Sequence, residues 1–152
     1  MKDSSVGRDA DKVWVDSVKL PAREEGLVAW RIEKFGDDFD EIYVSGSLAD
    51  PDGDGLVNLA EYGFGLDPLA ISEVPNLGIS RVGSTSDLEV LVNGSAVGVG
   101  FYVMKSVDLV GWSEVDSVPS DGGAVGDKML LKLGVLEEDG LKGFYRVGVR
   151  SE

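Results

Sequence analysis

Apolar residues fall into distinct patterns along the chain. Near the N-terminus, Val13-Trp14-Val15-Asp16-Ser17-Val18-Lys19-Leu20 reads as a strand that Pro21 stops. Between Glu24 and Phe35, Leu27, Trp30, Ile32 and Phe35 form an apolar stripe at helical spacing, and Gly36 ends it. A short second helix is expected at about Asn58 to Phe64, capped by Gly65 and unable to continue past Pro68. From Leu77 onward the period drops to two. Val97, Val99, Phe101 and Val103 alternate with other residues, as do Met129, Leu131, Leu133 and Val135, and later Tyr145, Val147 and Val149. Clusters of Gly, Ser, Asn and Asp at 83–87, 93–95, 120–123 and 138–140 separate these runs. Alternation broken by such turns predicts an antiparallel sandwich of about five or six strands.

The expected fold is therefore mostly β with a small α part. A polar N-terminal strand and linker spans 1–22. A helix–loop–helix segment follows over 23–75, and a β-sandwich with a core of its own over 76–152.

Composition narrows the chemistry. The chain has 152 residues, 43% of them hydrophobic, which suffices for a packed core. It carries a net charge of −14. Nucleic-acid binding needs clustered Lys and Arg, so that partner class is set aside, and anionic lipid is disfavoured in the same way. With no Cys and no His, zinc sites and thiol or imidazole catalysis drop out. No run is long and apolar enough to predict membrane insertion. The first residues, Met1-Lys2-Asp3-Ser4-Ser5, lack the apolar region of a signal peptide, so an exported protein would carry this sequence as part of a longer chain.

Charge is also unevenly placed. From Phe35 to Ser80 there are ten acidic residues and no Lys or Arg. Within this stretch, Asp50-Pro51-Asp52-Gly53-Asp54-Gly55-Leu56-Val57-Asn58-Leu59-Ala60-Glu61 matches the twelve-residue EF-hand loop pattern. Calcium takes six to eight oxygens at roughly 2.3–2.6 Å. Asp50, Asp52 and Asp54 would aim alternate carboxylates at one point. Gly55 stands where the chain must turn at positive φ. Leu56 would give its backbone carbonyl, and Val57 occupies the apolar anchoring position. Asn58 would ligate directly or through water, and could also cap the following helix. Glu61 would give two oxygens from that helix. Magnesium prefers a tight octahedron with retained waters and fits this set less well. Without an ion the carboxylates repel, and the loop is expected to fray. A single loop of modest affinity suits calcium-rich surroundings outside cells, whereas sensors pair two loops.

The segment from Ala49 to Pro68 resembles the "ADPDGDGxxNLxEYxxGxDP" calcium segment of large secreted bacterial proteins, within the group of dockerin-like and thrombospondin type 3-like loops. In such proteins a small C-terminal β-domain follows. Ser106-Val107-Asp108-Leu109-Val110-Gly111-Trp112 is similar to its "SxDLxxW" stretch, and Phe144-Tyr145-Arg146-Val147 to its "FYRV" strand. Val13 to Leu20 looks like the last strand of a jelly-roll domain, which would make it the tail of an upstream domain. The resemblance implies Asp50, Asp52, Asp54, Asn58 and Glu61 as ligands in a non-catalytic, extracellular or cell-surface module. Dockerins carry two loops and this chain one, so cohesin binding is not carried over.

Other constellations compete. Asp37-Asp38-Phe39-Asp40-Glu41 lacks the one-three-five spacing and reads as a solvated acidic turn. Asp67 before Pro68 reads as a turn residue. Glu114, Asp116, Glu137 and Glu138 are carboxylates at strand ends, with no two singled out as a glycosidase pair. Trp14, Trp30, Trp112, Tyr102 and Tyr145 would form either core or a sugar-stacking face. The expected function is a calcium-binding structural or interaction module, not an enzyme, whose further partner is another protein or a cell-surface glycan. The alternative is a carbohydrate-binding module or accessory domain of a larger secreted enzyme.

Overall fold

The computed structural model describes residues 22–136 and 143–152. The expected strand at Val13–Leu20 lies outside the described residues. Helix α1 spans Ala22–Phe35, followed by a 3-10 turn at Gly36–Asp38 and helix α2 at Asn58–Phe64. Seven strands follow among the described residues: β1 Gly78–Val82, β2 Thr85–Val92, β3 Val99–Ser106, β4 Ser113–Val115, β5 Ser117–Val125, β6 Lys128–Leu136 and β7 Phe144–Ser151. They form a four-stranded antiparallel sheet, β1-β2-β6-β5, and a three-stranded one, β4-β3-β7.

Alternation explains which faces meet. Leu88, Val90 and Val92 of β2 and Leu131, Leu133 and Val135 of β6 point the same way and are buried. Opposite them lie Phe101 and Val103 of β3 with Tyr145, Val147 and Val149 of β7. This is the predicted antiparallel sandwich, with seven strands among the described residues where five or six were expected. Its core also takes Phe64 from α2, so the packing runs across the boundary between residues 75 and 76. A second cluster joins Trp30 and Phe35 of α1 to Tyr62 of α2, with the Trp30 and Tyr62 ring centroids 5.5 Å apart.

Three local expectations need correction. Ile32 is 49% exposed and leaves the apolar stripe of α1. Val97 precedes β3; its backbone N–H donates to the Tyr62 hydroxyl at 2.9 Å, so it belongs to the joint with α2. Residues 120–123 are not a turn but lie within β5 as a bulge between Asp121 and Ala124. The reversal comes later, at Gly126-Asp127, where Gly126 has φ +65. Glycine at the first centre of a two-residue hairpin loop is what a type II′ turn requires. The same device, Gly83 with φ +64, joins β1 to β2.

Candidate metal centre

The loop between the two helical elements is folded by its own carboxylates. Asp50 Oδ1 accepts from the Gly53 N–H at 2.9 Å and its Oδ2 from the Gly55 N–H at 3.0 Å. Asp52 Oδ1 accepts from the Asp54 N–H at 3.1 Å, and Asp54 Oδ1 from the Leu56 N–H at 2.7 Å. These Asx-type bonds wind the chain so that one carboxylate oxygen from each of Asp50, Asp52 and Asp54 falls within 4.8 Å of the others. Gly53 and Gly55 sit at φ +76 and +93, the left-handed region that the pattern demanded of Gly55. A Cβ added to Gly55 would touch nothing, so glycine is needed there for backbone conformation, not for space.

Asn58 and Glu61 approach from α2. Both are wholly buried. Asn58 does not cap the helix: Val57 holds the N-cap position, without a side-chain bond. The Asn58 amide nitrogen instead donates to the Val44 and Gly46 carbonyls at 2.9 and 2.8 Å. That leaves Asn58 Oδ1 buried with no partner. Both Glu61 oxygens and Asp52 Oδ2 are buried and unpartnered as well. Among the described residues these are the only buried side-chain oxygens left without a hydrogen bond, and all four belong to this loop.

Electrostatics point to the same place. Burial pushes the Glu61 carboxyl up to about 7, helped by the negative charges of Asp52, Asp54, Asp50 and Asp67. Asp67 is the turn residue expected, with Oδ1 accepting from the Leu69 N–H at 3.2 Å, yet it lies close enough to act on Glu61. Glu61 itself falls outside the 4.8 Å group of three aspartates. One contact has no signal in the local sequence: Asp54 Oδ2 accepts from the Ser72 N–H at 2.7 Å and ties the loop to the segment leading into β1. Val57 is half-buried and Leu56 lines a groove at the edge of the sandwich core with Phe64, Leu77 and Val90.

The donor set is all oxygen. Each aspartate that accepts N–H bonds keeps lone pairs for a cation, since an ionised carboxylate has about four acceptor sites. Asp50, Asp52 and Asp54 could together hold a hard cation, and the unpartnered buried oxygens of Asn58 and Glu61 are of the same donor type. The remaining candidates separate from this site. Asp37, Asp38, Asp40 and Glu41 are exposed and belong to no metal-sized cluster among the described residues. Glu114 is exposed and ion-paired with Arg150, Asp116 is exposed, and Glu137 and Glu138 lie outside the described residues. Trp30 is core. Arg146 stacks over Trp112 at 3.7 Å and Arg150 over Tyr102 at 4.5 Å, so guanidinium groups already occupy these ring faces. Tyr145 packs on the sandwich core, and Trp14 lies outside the described residues. No family model, curated protein or solved structure matches the chain.

Proposed function

We propose that this chain is a non-catalytic module that binds one calcium ion in the loop from Asp50 to Glu61, and that the ion staples the helical segment to the β-sandwich. The observation that carries this reading is Glu61, fully buried with neither oxygen hydrogen-bonded. An ionised carboxylate held so costs several kcal/mol unless a cation compensates it. No Lys or Arg occurs between residues 36 and 80 to do so. Calcium is favoured over magnesium because the set offers seven oxygens, counting Glu61 twice, and draws four carboxylates to one ion.

The ion's role is mechanical. Asn58 holds the 44–46 turn, Asp54 holds Ser72, and Glu61 lies on the helix whose Phe64 enters the sandwich core. Neutralising the carboxylates fixes these three segments together. We place such a module on an exported or cell-surface protein, where millimolar calcium keeps a single loop filled. Titration calorimetry on chelator-treated protein tests the reading. One calcium per chain is expected; no heat at millimolar calcium, or a stoichiometry of two, refutes it.

A further inference from the structure

A concavity of about 420 Å³ lies beside the metal centre, lined by Ile42, Tyr43, Gly46, Ser47, Leu48 and Ala49. Three of its large apolar side chains are open to solvent: Ile42 is 64% exposed, Tyr43 90% and Leu48 82%. Single exposed apolar residues are ordinary, but several gathered around one hollow mark an interaction site.

The hollow is preformed. Val44 and Ser45 N–H groups both donate to the Glu41 carbonyl, at 2.9 and 2.8 Å. The buried Ser45 hydroxyl donates to the Phe39 carbonyl at 2.6 Å and accepts from Arg31 at 3.0 Å. Asn58 grips the Val44 and Gly46 carbonyls from below. Gly46 is required at this bend, because a Cβ there would lie 2.2 Å from the Ile42 carbonyl oxygen. An ordered surface of this kind binds without a large ordering cost.

Charge selects the occupant. Exposed Asp37, Asp38, Asp40 and Glu41 immediately precede the hollow in the chain, and none forms an ion pair among the described residues. A second copy of this chain would set acidic surface against acidic surface, which complementarity disfavours. We infer that the hollow docks a partner polypeptide through an apolar side chain flanked by Lys or Arg. The hollow itself does not depend on the calcium reading, but Asn58 joins the two sites, so calcium is expected to tighten docking.

The test uses the full chain in millimolar calcium near physiological ionic strength, with a fluorescent peptide of alternating Leu and Lys as the probe. Anisotropy should report binding that weakens about tenfold or more when every Leu in the peptide becomes Ser. Replacing Tyr43→Ser together with Leu48→Ser should weaken it similarly. Both side chains are exposed, so the melting temperature and calcium stoichiometry of that variant should not change. Equal binding of the Ser–Lys peptide would reduce the effect to nonspecific attraction and overturn the proposal, as would an unchanged affinity for the double variant. A dimer in sedimentation that the double variant abolishes would assign the face to self-association, and would also overturn it. Calcium titration of the same variant separates the two sites: loss of docking with calcium binding intact concerns the hollow alone.

Discussion

Replacing Glu61→Gln should change the sign of its effect on stability according to whether calcium is present. In metal-free protein the Glu61 carboxyl is pushed up to about 7, from an ordinary value of 4.5, chiefly by burial and then by Asp52, Asp54, Asp50 and Asp67. The folded state therefore holds a proton that the unfolded state has released over this window. Stability must fall as pH rises from about 4.5 to 7, because the unfolded chain binds fewer protons there. At about 1.4 kcal/mol per pH unit, the loss above pH 7 is at most about 3.4 kcal/mol, and solvent screening lowers it. For a chain of this length that upper bound corresponds to roughly 7–14 °C in melting temperature. Gln keeps the shape and never ionises, so the metal-free variant should lack this slope and melt higher than the parent at pH 8. In calcium the gap narrows, because the ion stabilises only the chain whose Glu61 can ligate with both oxygens, and the order reverses where free calcium reaches about a thousand times the dissociation constant, a gain of about 4.1 kcal/mol. For the parent, calcium at ten to a hundred times the dissociation constant adds about 1.4–2.7 kcal/mol. Thermal melts of parent and variant by circular dichroism at pH 5.5, 7 and 8, with chelator or with calcium, give the required comparison. The other carboxylates are common to both proteins, so the parent-minus-variant difference isolates Glu61. A metal-free variant less stable than the parent at pH 8 would mean that Glu61 carries no burial penalty, and the argument for a missing cation would fall with it.

Four further outcomes follow from the same geometry. Asp40→Ala should leave calcium affinity unchanged, whereas Asp52→Asn should weaken it, because affinity in such loops follows the count of charged ligands; equal effects in calorimetry would misplace the site. Gly55→Ala should cost about 1–3 kcal/mol, since φ +93 is strained for any side chain although space is open; a melting temperature equal to the parent's would show that the loop turns differently. Phe64→Ala should cost about 3–5 kcal/mol and shift a single cooperative transition, because Phe64 is buried with the sheet residues; a separate early transition would make the helical segment its own unit. Hydrogen exchange with and without calcium should differ mainly between residues 50 and 72, while exchange in β7 stays nearly constant. Calcium-driven change throughout β7 would indicate a switch.

Much of this architecture was legible because each element repeats its own signal. Helix α2 appeared at the expected residues, Asn58–Phe64, with Gly65 in the left-handed conformation. The alternating apolar residues of β3, β6 and β7 marked inner faces of both sheets, whereas those of β2, Leu88, Val90 and Val92, were not singled out. Where expectation failed, long-range pairing had overridden local composition. Ser120-Asp121-Gly122-Gly123 has turn chemistry, yet β6 offers a ladder, and an exposed edge strand needs few apolar residues to occupy it. The spare residue becomes a bulge there, a common place for one. The convergence of Asp50, Asp52 and Asp54 was readable because a tightly wound loop that gathers carboxylates carries them at fixed spacing. Ser72 was not, since a backbone N–H donor has no residue-type signature. The second role of Asn58 also escaped, because its carbonyl partners at Val44 and Gly46 are ordinary positions in any sequence.

The placement of the site on α2 gives the strongest reason to expect a structural ion. A helix of seven residues is too short to be stable alone, as isolated helices become marginal below about 12–15 residues. Tertiary contacts must hold it, and its side chains divide that work. Tyr62 joins Trp30 and Phe35, and its hydroxyl receives the Val97 N–H. Gly63 passes so close to Val149 that a Cβ would lie 2.9 Å from it, and the Gly63 carbonyl accepts from the Asn93 N–H at 2.8 Å. Phe64 enters the sandwich, while Lys128 reaches the Phe64 carbonyl at 3.0 Å. Every one of these contacts fixes the position of Glu61 between them. The helix cannot turn Glu61 out to water without removing Tyr62 or Phe64 from their cores. Its charge must therefore be neutralised where it stands, by a proton at the expense of the loop's geometry or by a cation that completes it.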